Sequence, residues 1–269
     1  MKGYDRFRLD RDGTDLAGYI QPGDGPIFVL QHGLCADANQ PAELIPPQKG
    51  YRHAVLDCRG HGKSAAGPDD QLSLATFTDD VAAMVAALDQ APAAVGGISM
   101  GAAIALRLAV FRPDLVHALI LVRPAWVVDS APANMGPNAV VGGMLAAGYG
   151  LADFDQGTLA QTLAAQAPDN LASLRGFFDR KPLPMTAALL RRISADGPGV
   201  TINDLSALRL PVLIIGCADD IIHPISHAQT LEVVIPGSRL VKVPSKGQNR
   251  ADHIAGVQGA IANFMEGLL

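Results

Sequence analysis

A serine between two glycines is the residue in this chain best placed for covalent chemistry. Gly97, Ser99 and Gly101 join an apolar run, residues 93–98, to a helix-forming run, residues 102–111. A serine on a strand-to-helix turn with a glycine two positions to either side is typical of a nucleophile elbow, where side chains at the glycines would crowd the neighbouring elements. The N-terminus of the following helix also favours developing negative charge. The pattern therefore predicts Ser99 as a nucleophile.

Strand-length apolar runs alternate with helical patterns and must position this turn. The runs are residues 27–31, 54–57, 93–98, 118–122, 212–216 and 239–243. This alternation is typical of a mostly parallel central sheet flanked by helices, an α/β architecture. A hairpin is predicted within residues 5–20 around Asp12-Gly13, a helix capped by Ser73 follows the second run, and residues 252–269 should form the closing helix.

One stretch, residues 124–199, carries helical patterns and several prolines but no strand signal. So long a connection is unusual inside a parallel-sheet domain. We expect a helical cap or lid inserted into a core domain made of residues 1–123 and 200–269. The insertion follows a strand whose C-terminal end should border the site.

Composition restricts the class of partner. The 269 residues are 49% hydrophobic and 17% charged, with a formal charge of −5, which predicts a soluble globular protein with no nucleic-acid or membrane partner. A small molecule is the expected partner, and the sequence is also compatible with a homodimer. The N-terminus lacks an apolar signal region, so a cytoplasmic location is expected. Cys35, Cys58 and Cys217 lack the spacing of a metal site and are expected to be reduced thiols.

Three motifs follow three successive predicted strands. They are Gln-His-Gly-Leu at residues 31–34, Asp-Cys-Arg-Gly-His-Gly-Lys-Ser at residues 57–64, and the Ser99 elbow. In this order they resemble the oxyanion loop, the turn after the second strand and the nucleophile elbow of the α/β-hydrolase superfamily. The chain thus resembles a serine hydrolase with a helical cap, over nearly its whole length.

The resemblance implies roles for several residues. Ser99 would be the nucleophile, and the backbone N–H groups of Leu34 and Met100 would form the oxyanion hole. His32 and His61 are interpreted as braces of the loops that carry them. The residues expected to contact substrate are His32, Cys35 and Trp126. No metal or organic cofactor is expected.

The acid should follow the run at residues 212–216, where Asp219 and Asp220 are adjacent. Family members often have an aspartate four residues before a proline in this loop. Pro224 therefore selects Asp220, whereas counting from the glycine that ends the run selects Asp219. We expect Asp220 as the acid.

The general base for Ser99 has more than one candidate in the sequence. Where the superfamily usually has Gly-His after the last strand, this chain has Gly247-Gln248, and glutamine cannot accept a proton near neutral pH. His223 and His227 could reach the pocket rim but have no family precedent as base. The remaining candidate is His253 at the start of the last helix. The alternative is that Gln248 replaces a lost histidine.

The leading hypothesis is a serine hydrolase that cleaves a small, apolar carboxylic ester, lactone or thioester through an acyl-enzyme. Apolar residues in segment 124–199 suggest the apolar substrate. The alternatives are a ligand-binding protein without turnover, a cofactor-free haloperoxidase and a C–C hydrolase. Epoxide hydrolases and dehalogenases use an aspartate nucleophile, so Ser99 disfavours both.

Overall fold

Eight strands form one sheet in the computed structural model, which describes residues 1–46, 50–89 and 91–268. The strands are β1 (Asp5–Arg11), β2 (Thr14–Ile20), β3 (Ile27–Gln31), β4 (Arg52–Leu56), β5 (Ala93–Ile98), β6 (Val116–Val122), β7 (Val212–Gly216) and β8 (Arg239–Lys242). Their order across the sheet is β1-β2-β4-β3-β5-β6-β7-β8. β2 pairs antiparallel with β1 and β4, and the other neighbours are parallel. The predicted mostly parallel sheet is confirmed.

Helices cover both faces of this sheet. They are α1 (Asn39–Leu44), α2 (Leu74–Ala87), α3 (Met100–Phe111), α4 (Gly136–Ala146), α5 (Leu151–Gln156), α6 (Thr158–Gln166), α7 (Pro168–Gly176), α8 (Leu183–Ser194), α9 (Ile202–Ala207), α10 (Ile225–Val234) and α11 (Arg250–Glu266). Side chains alternate along each strand. On β6, Leu119 and Leu121 therefore join the core with α2, α3 and α10, whereas Ile120 and Val122 join the core with α11.

Local sequence signals explain several element boundaries. Asp12 and Gly13 have φ of 55° and 79° and form the two-residue turn of the β1–β2 hairpin. The Ser73 hydroxyl accepts a hydrogen bond from Thr76 N and caps α2, as predicted. Asn249 caps α11, which begins two residues earlier than the predicted 252. His253 is therefore the fourth residue of α11 and still belongs to its first turn.

Between β6 and β7 the chain forms helices α4 to α9, of which α4 to α8 lie within residues 124–199, and α4 packs against α8. Pro137, Pro168 and Pro184 lie in the first turns of α4, α7 and α8, where a missing N–H costs nothing. The prolines therefore start helices rather than interrupt them. The domain boundaries at 123/124 and 199/200 stay a prediction. No helix within the described ranges is long and apolar enough to cross a membrane.

The sheet register places the C-terminal ends of β3, β5, β6 and β7 side by side. Gln31 pairs with Gly97, and Val122 lies between Ile98 and Ile215. In a parallel sheet the loops after these ends share one edge, where α/β proteins build their sites. The Ser99 turn and the loop that contains Asp220 therefore meet.

Candidate active site

The turn from β5 into α3 holds Ser99 in an unusual backbone conformation. Ser99 has φ of 55° and ψ of −109°, a region that residues other than glycine seldom adopt. A Cβ on Gly97 would lie 2.1 Å from the backbone of Gly101, and one on Gly101 would lie 2.3 Å from Gln31 O. Both positions therefore exclude a side chain, for the reason that the sequence pattern suggested.

His223 is the histidine that reaches Ser99. Its Nε2 lies 2.8 Å from Ser99 Oγ, and its Nδ1 lies 2.9 Å from Asp220 Oδ2. With the Nδ1 proton donated to Asp220, Nε2 is free to accept the serine proton. The His223 backbone N–H also donates to Asp220 Oδ1 at 3.0 Å. The three side chains form a continuous Ser–His–Asp hydrogen-bond chain.

Asp220 is buried and has three kinds of partner. Besides His223, it accepts hydrogen bonds from Arg123, with Nη2 at 2.5 Å, and from Asn170 Nδ2 at 3.0 Å. Burial alone would raise the pKa of the Asp220 carboxyl, but His223, Arg123 and Asn170 outweigh it and hold the pKa well below its usual value. Asp220 is therefore ionised at neutral pH.

The protonation state of His223 follows from the same surroundings. Burial lowers the pKa of the imidazole, Asp220 opposes this, and Arg123 and Lys246 lower it further. The net pKa lies below the usual 6.5. The ring is therefore neutral at pH 7 and can accept a proton.

Arg123 and Asn170 were not identified from the sequence. Arg123 directly follows β6, at the edge where the site forms, so its position was the available signal. Asn170 lies on α7, and its Oδ1 accepts a hydrogen bond from Ile221 N at 2.7 Å. A contact between residues 170 and 220 has no local signature in the sequence.

The structure corrects the prediction that His253 lies over Ser99. His253 lies in the first turn of α11, and its Nδ1 lies 2.9 Å from Pro244 O. It faces a neighbouring cavity rather than the one that contains Ser99. Gln248 Nε2 donates to Asp219 Oδ2 at 2.8 Å, so these two residues are paired with each other. Of the two aspartates, Asp220 is the one that contacts a histidine.

A cavity of about 360 Å³ opens over Ser99. This is at the lower end of the range for small-molecule sites, roughly 300–1,000 Å³. Segment 124–199 contributes Asn138, Leu174 and Phe177 to its wall, and Leu34 also lines it. The segment therefore covers the serine in part.

The residues predicted to contact substrate behave differently. Cys35 lines the cavity, and burial raises the pKa of its thiol to about 12, so it is not a nucleophile at neutral pH. His32 does not line it, because its ring is buried between Gly33 O and Cys58 N. Trp126 is also buried elsewhere, with Nε1 donating to Asp196 O at 2.9 Å. The predictions for His32 and Trp126 are therefore corrected.

Two backbone N–H groups near Ser99, those of Leu34 and Met100, donate to no atom of the described residues. Met100 is the first residue of α3, so its N–H has no acceptor inside the helix. Leu34 N donates to no atom in the described residues, whereas the neighbouring Cys35 N donates to His61 Nε2 at 3.0 Å. His61 thus braces the loop, as interpreted from the sequence. Both free amides are available to an oxyanion.

The family model described as "alpha/beta hydrolase fold" matches residues 26–249. "Putative carbamate hydrolase RutD" of Klebsiella pneumoniae is 30% identical over 235 residues, covering 84% of this chain and 85% of that protein. "Putative non-heme bromoperoxidase BpoC" of Mycobacterium tuberculosis is 30% identical over 242 residues, covering 84% and 87%.

A solved structure agrees with these relatives. The enol-lactonase from Burkholderia xenovorans LB400 superposes with a TM-score of 0.68 at 25% identity, covering 97% of this chain and 98% of that one. The family match spans most of the chain, and the relatives and the solved structure are also covered over most of their length. This protein therefore belongs to the α/β-hydrolase fold family and is an enzyme of the hydrolase type.

Proposed function

We propose that this protein hydrolyses a small carboxylic ester, lactone or thioester through an acyl-enzyme on Ser99. The observation that carries the proposal is the hydrogen-bond chain from Ser99 Oγ through His223 to Asp220, at 2.8 and 2.9 Å. A nucleophile, a base within hydrogen-bond reach and a third group that orients the base are the requirements of this chemistry.

In the first step, Ser99 Oγ attacks the substrate carbonyl while His223 Nε2 accepts the hydroxyl proton. Asp220 stabilises the imidazolium that forms and keeps Nδ1 protonated. The negative charge on the carbonyl oxygen is stabilised by the amides of Leu34 and Met100. As the tetrahedral intermediate collapses, His223 returns the proton to the leaving alcohol or thiol.

In the second step, water attacks the acyl-enzyme. His223 accepts a proton from the water, and the same two amides stabilise the second oxyanion. Ser99 regains its proton from His223 when the carboxylic acid leaves. Every proton in the cycle passes between Ser99, His223, the leaving group and water, and the ring of His223 is neutral at the start because burial lowers its pKa.

The position of His223 bears on the alternative of a binding protein without turnover. That alternative was motivated by Gln248, which stands where a histidine is usual. His223, on the loop after β7, makes both contacts that a triad histidine needs. A glutamine at position 248 is therefore no longer an argument against turnover.

Haloperoxidase activity is a second candidate, favoured by similarity to the Mycobacterium tuberculosis relative named as a non-heme bromoperoxidase. An acyl-enzyme attacked by hydrogen peroxide instead of water would release a peracid, which oxidises bromide. This reaction needs the same serine and histidine. Bromide oxidation in the presence of acetate and hydrogen peroxide, absent in Ser99→Ala, would support it.

Covalent labelling with a fluorophosphonate probe tests the proposed hydrolase function. We expect rapid labelling of the wild type at Ser99 and hydrolysis of p-nitrophenyl acetate, with both lost in Ser99→Ala. An unlabelled, folded wild type that hydrolyses no ester would overturn the proposal.

A further inference from the structure

The cavity over Ser99 is cationic although the chain carries a formal charge of −5. Three basic side chains line it, those of Arg123, Arg180 and Lys246, and no aspartate or glutamate of the described residues lines it. The positive charges of two of these side chains are neutralised by ion pairs with aspartates. Arg123 Nη2 lies 2.5 Å from Asp220, and Lys246 Nζ lies 3.1 Å from Asp169.

Arg180 differs because it has no acidic partner in the part of the chain that the structure describes. Among the described residues no carboxylate lies within 4.0 Å of its guanidinium, and all its acceptors are neutral. Asp37 lines an adjacent cavity with Arg180, but its carboxylate accepts from Asn39 and makes no ion pair with Arg180. One uncompensated positive charge therefore belongs to the wall of the cavity.

The neutral contacts hold the guanidinium in place. Nε donates to Cys35 O at 3.0 Å, Nη2 to Gly60 O at 2.9 Å and Nη1 to Thr186 Oγ1 at 3.0 Å. A guanidinium has five N–H groups, so one on each terminal nitrogen has no acceptor in the described residues. Two donors on one planar, pre-ordered group match the two oxygens of a carboxylate.

We propose that Arg180 binds a carboxylate carried by the substrate, so that the preferred substrates are small esters or lactones with a second, free acid group. The assignment rests on the proposed hydrolase function of Ser99. The sequence predicted an apolar substrate. The cavity instead combines an apolar wall of Leu174 and Phe177 with the fixed positive charge of Arg180. Such a site selects a short monoanionic substrate over its neutral isostere.

The test compares matched p-nitrophenyl esters. One series carries the carboxylate on the acyl chain, as in the hemisuccinate and hemiglutarate, and is compared with the butyrate and valerate. A second pair carries a carboxylate or a carboxamide on the leaving phenol. For at least one pair, wild-type kcat/KM should favour the anion by about tenfold or more, and the preference should fall as salt is added.

Arg180→Met should lower kcat/KM for the favoured anion by about 10- to 100-fold and leave its neutral partner within about threefold of the wild type. Arg180→Lys should retain part of the preference for the anion, because lysine keeps the positive charge but lacks the paired N–H donors of a guanidinium. Lys181→Met is the control, since this neighbouring lysine is exposed and should not alter the preference.

A merely structural role for Arg180 predicts a different pattern. Because it also contacts the loops at Cys35 and Gly60, loss of those contacts would lower the rates for anionic and neutral esters together. That result, or a wild type without preference in any pair, would overturn the assignment while leaving the hydrolase function intact. No hydrolysis of any ester and no probe label at Ser99 would instead overturn the hydrolase function.

A measurement on the wild type covers the case in which Arg180→Met fails to fold. Glutarate and succinate should slow phosphonate labelling of Ser99, whereas their diamides should not do so at the same concentration. Equal protection by acids and diamides, or by neither, would contradict a carboxylate site.

Discussion

Replacing Arg123 with methionine should move the acid limb of the pH–activity profile to higher pH. Arg123 Nη2 lies 3.2 Å from His223 Nδ1, and both atoms are donors when Nδ1 gives its proton to Asp220. The contact is therefore a repulsion that opposes protonation of the ring, in line with the lowered pKa of His223. Without Arg123, the imidazolium is still stabilised by Asp220 and is opposed only by burial and Lys246, so the pKa of His223 rises.

The size of the shift follows from Coulomb's law. Two unit charges about 4 Å apart interact by about 4 kcal/mol at an effective dielectric constant of about 20. About 1.4 kcal/mol corresponds to one pKa unit, so full removal would shift the pKa by roughly three units. Water entering the space left by Arg123 will screen Asp220 and reduce the shift. We expect a rise of about 1–2 pH units.

The assay is kcat/KM for a neutral ester as a function of pH, because this profile reports the base of the free enzyme. The wild-type acid limb should have its midpoint below pH 6.5, the usual value. Arg123→Lys keeps the charge and should remain within about half a unit of the wild type, while circular dichroism checks that each variant is folded. An unchanged or lowered midpoint in folded Arg123→Met would refute the electrostatic reasoning.

Three further predictions concern stability. Gly97→Ala should destabilise the fold by more than about 3 kcal/mol in urea unfolding, because its Cβ would lie 2.1 Å from the backbone of Gly101; a smaller loss would show that the turn can relax. Asp80→Ala should cost about 3–5 kcal/mol by the same measurement, since it leaves buried Arg59 without the partner 2.7 Å from its Nε. Asp220 has a folded pKa below its unfolded value near 3.8, so its stabilising contribution is present above that pH and is lost as pH falls. Asp220→Asn should therefore flatten the fall in unfolding free energy below about pH 4, by up to about 1.4 kcal/mol per pH unit; an unchanged slope would contradict the depressed pKa.

Much of the fold could be predicted because its signals are local. Three strands, β3, β5 and β7, have the predicted bounds, since a strand buried on both faces is a continuous apolar run. The turn at Ser99 could also be predicted from the sequence, because the backbone approaches Gly97 and Gly101 so closely that no other residue type fits there.

The histidine could not be assigned from the same signals. A triad histidine is defined by its distance from the serine, and residues 223 and 253 are both far from residue 99 in sequence. Comparison with the Gly-His pair of the superfamily directed attention to Gln248 and beyond. The useful signal was the spacing of His223 three residues after Asp220 in the same loop, which lets one loop supply both contacts.

The buried partners of Asp220 could not be predicted from the sequence for a similar reason. Arg123 directly follows β6 and Asn170 lies on α7, and the contact of Asn170 with Asp220 depends on how segment 124–199 packs over the sheet. Trp126 shows the opposite error. It was expected to contact substrate, yet its indole is buried against Asp196 O.

The central claim, that His223 is the base for Ser99, is tested most directly by paired substitutions of the two histidines. We predict that His223→Asn lowers kcat for p-nitrophenyl acetate by about 10⁴-fold or more, whereas His253→Asn stays within about threefold of the wild type. Both proteins should be folded, as judged by circular dichroism. A folded His223→Asn that retains activity while His253→Asn loses it would contradict the account.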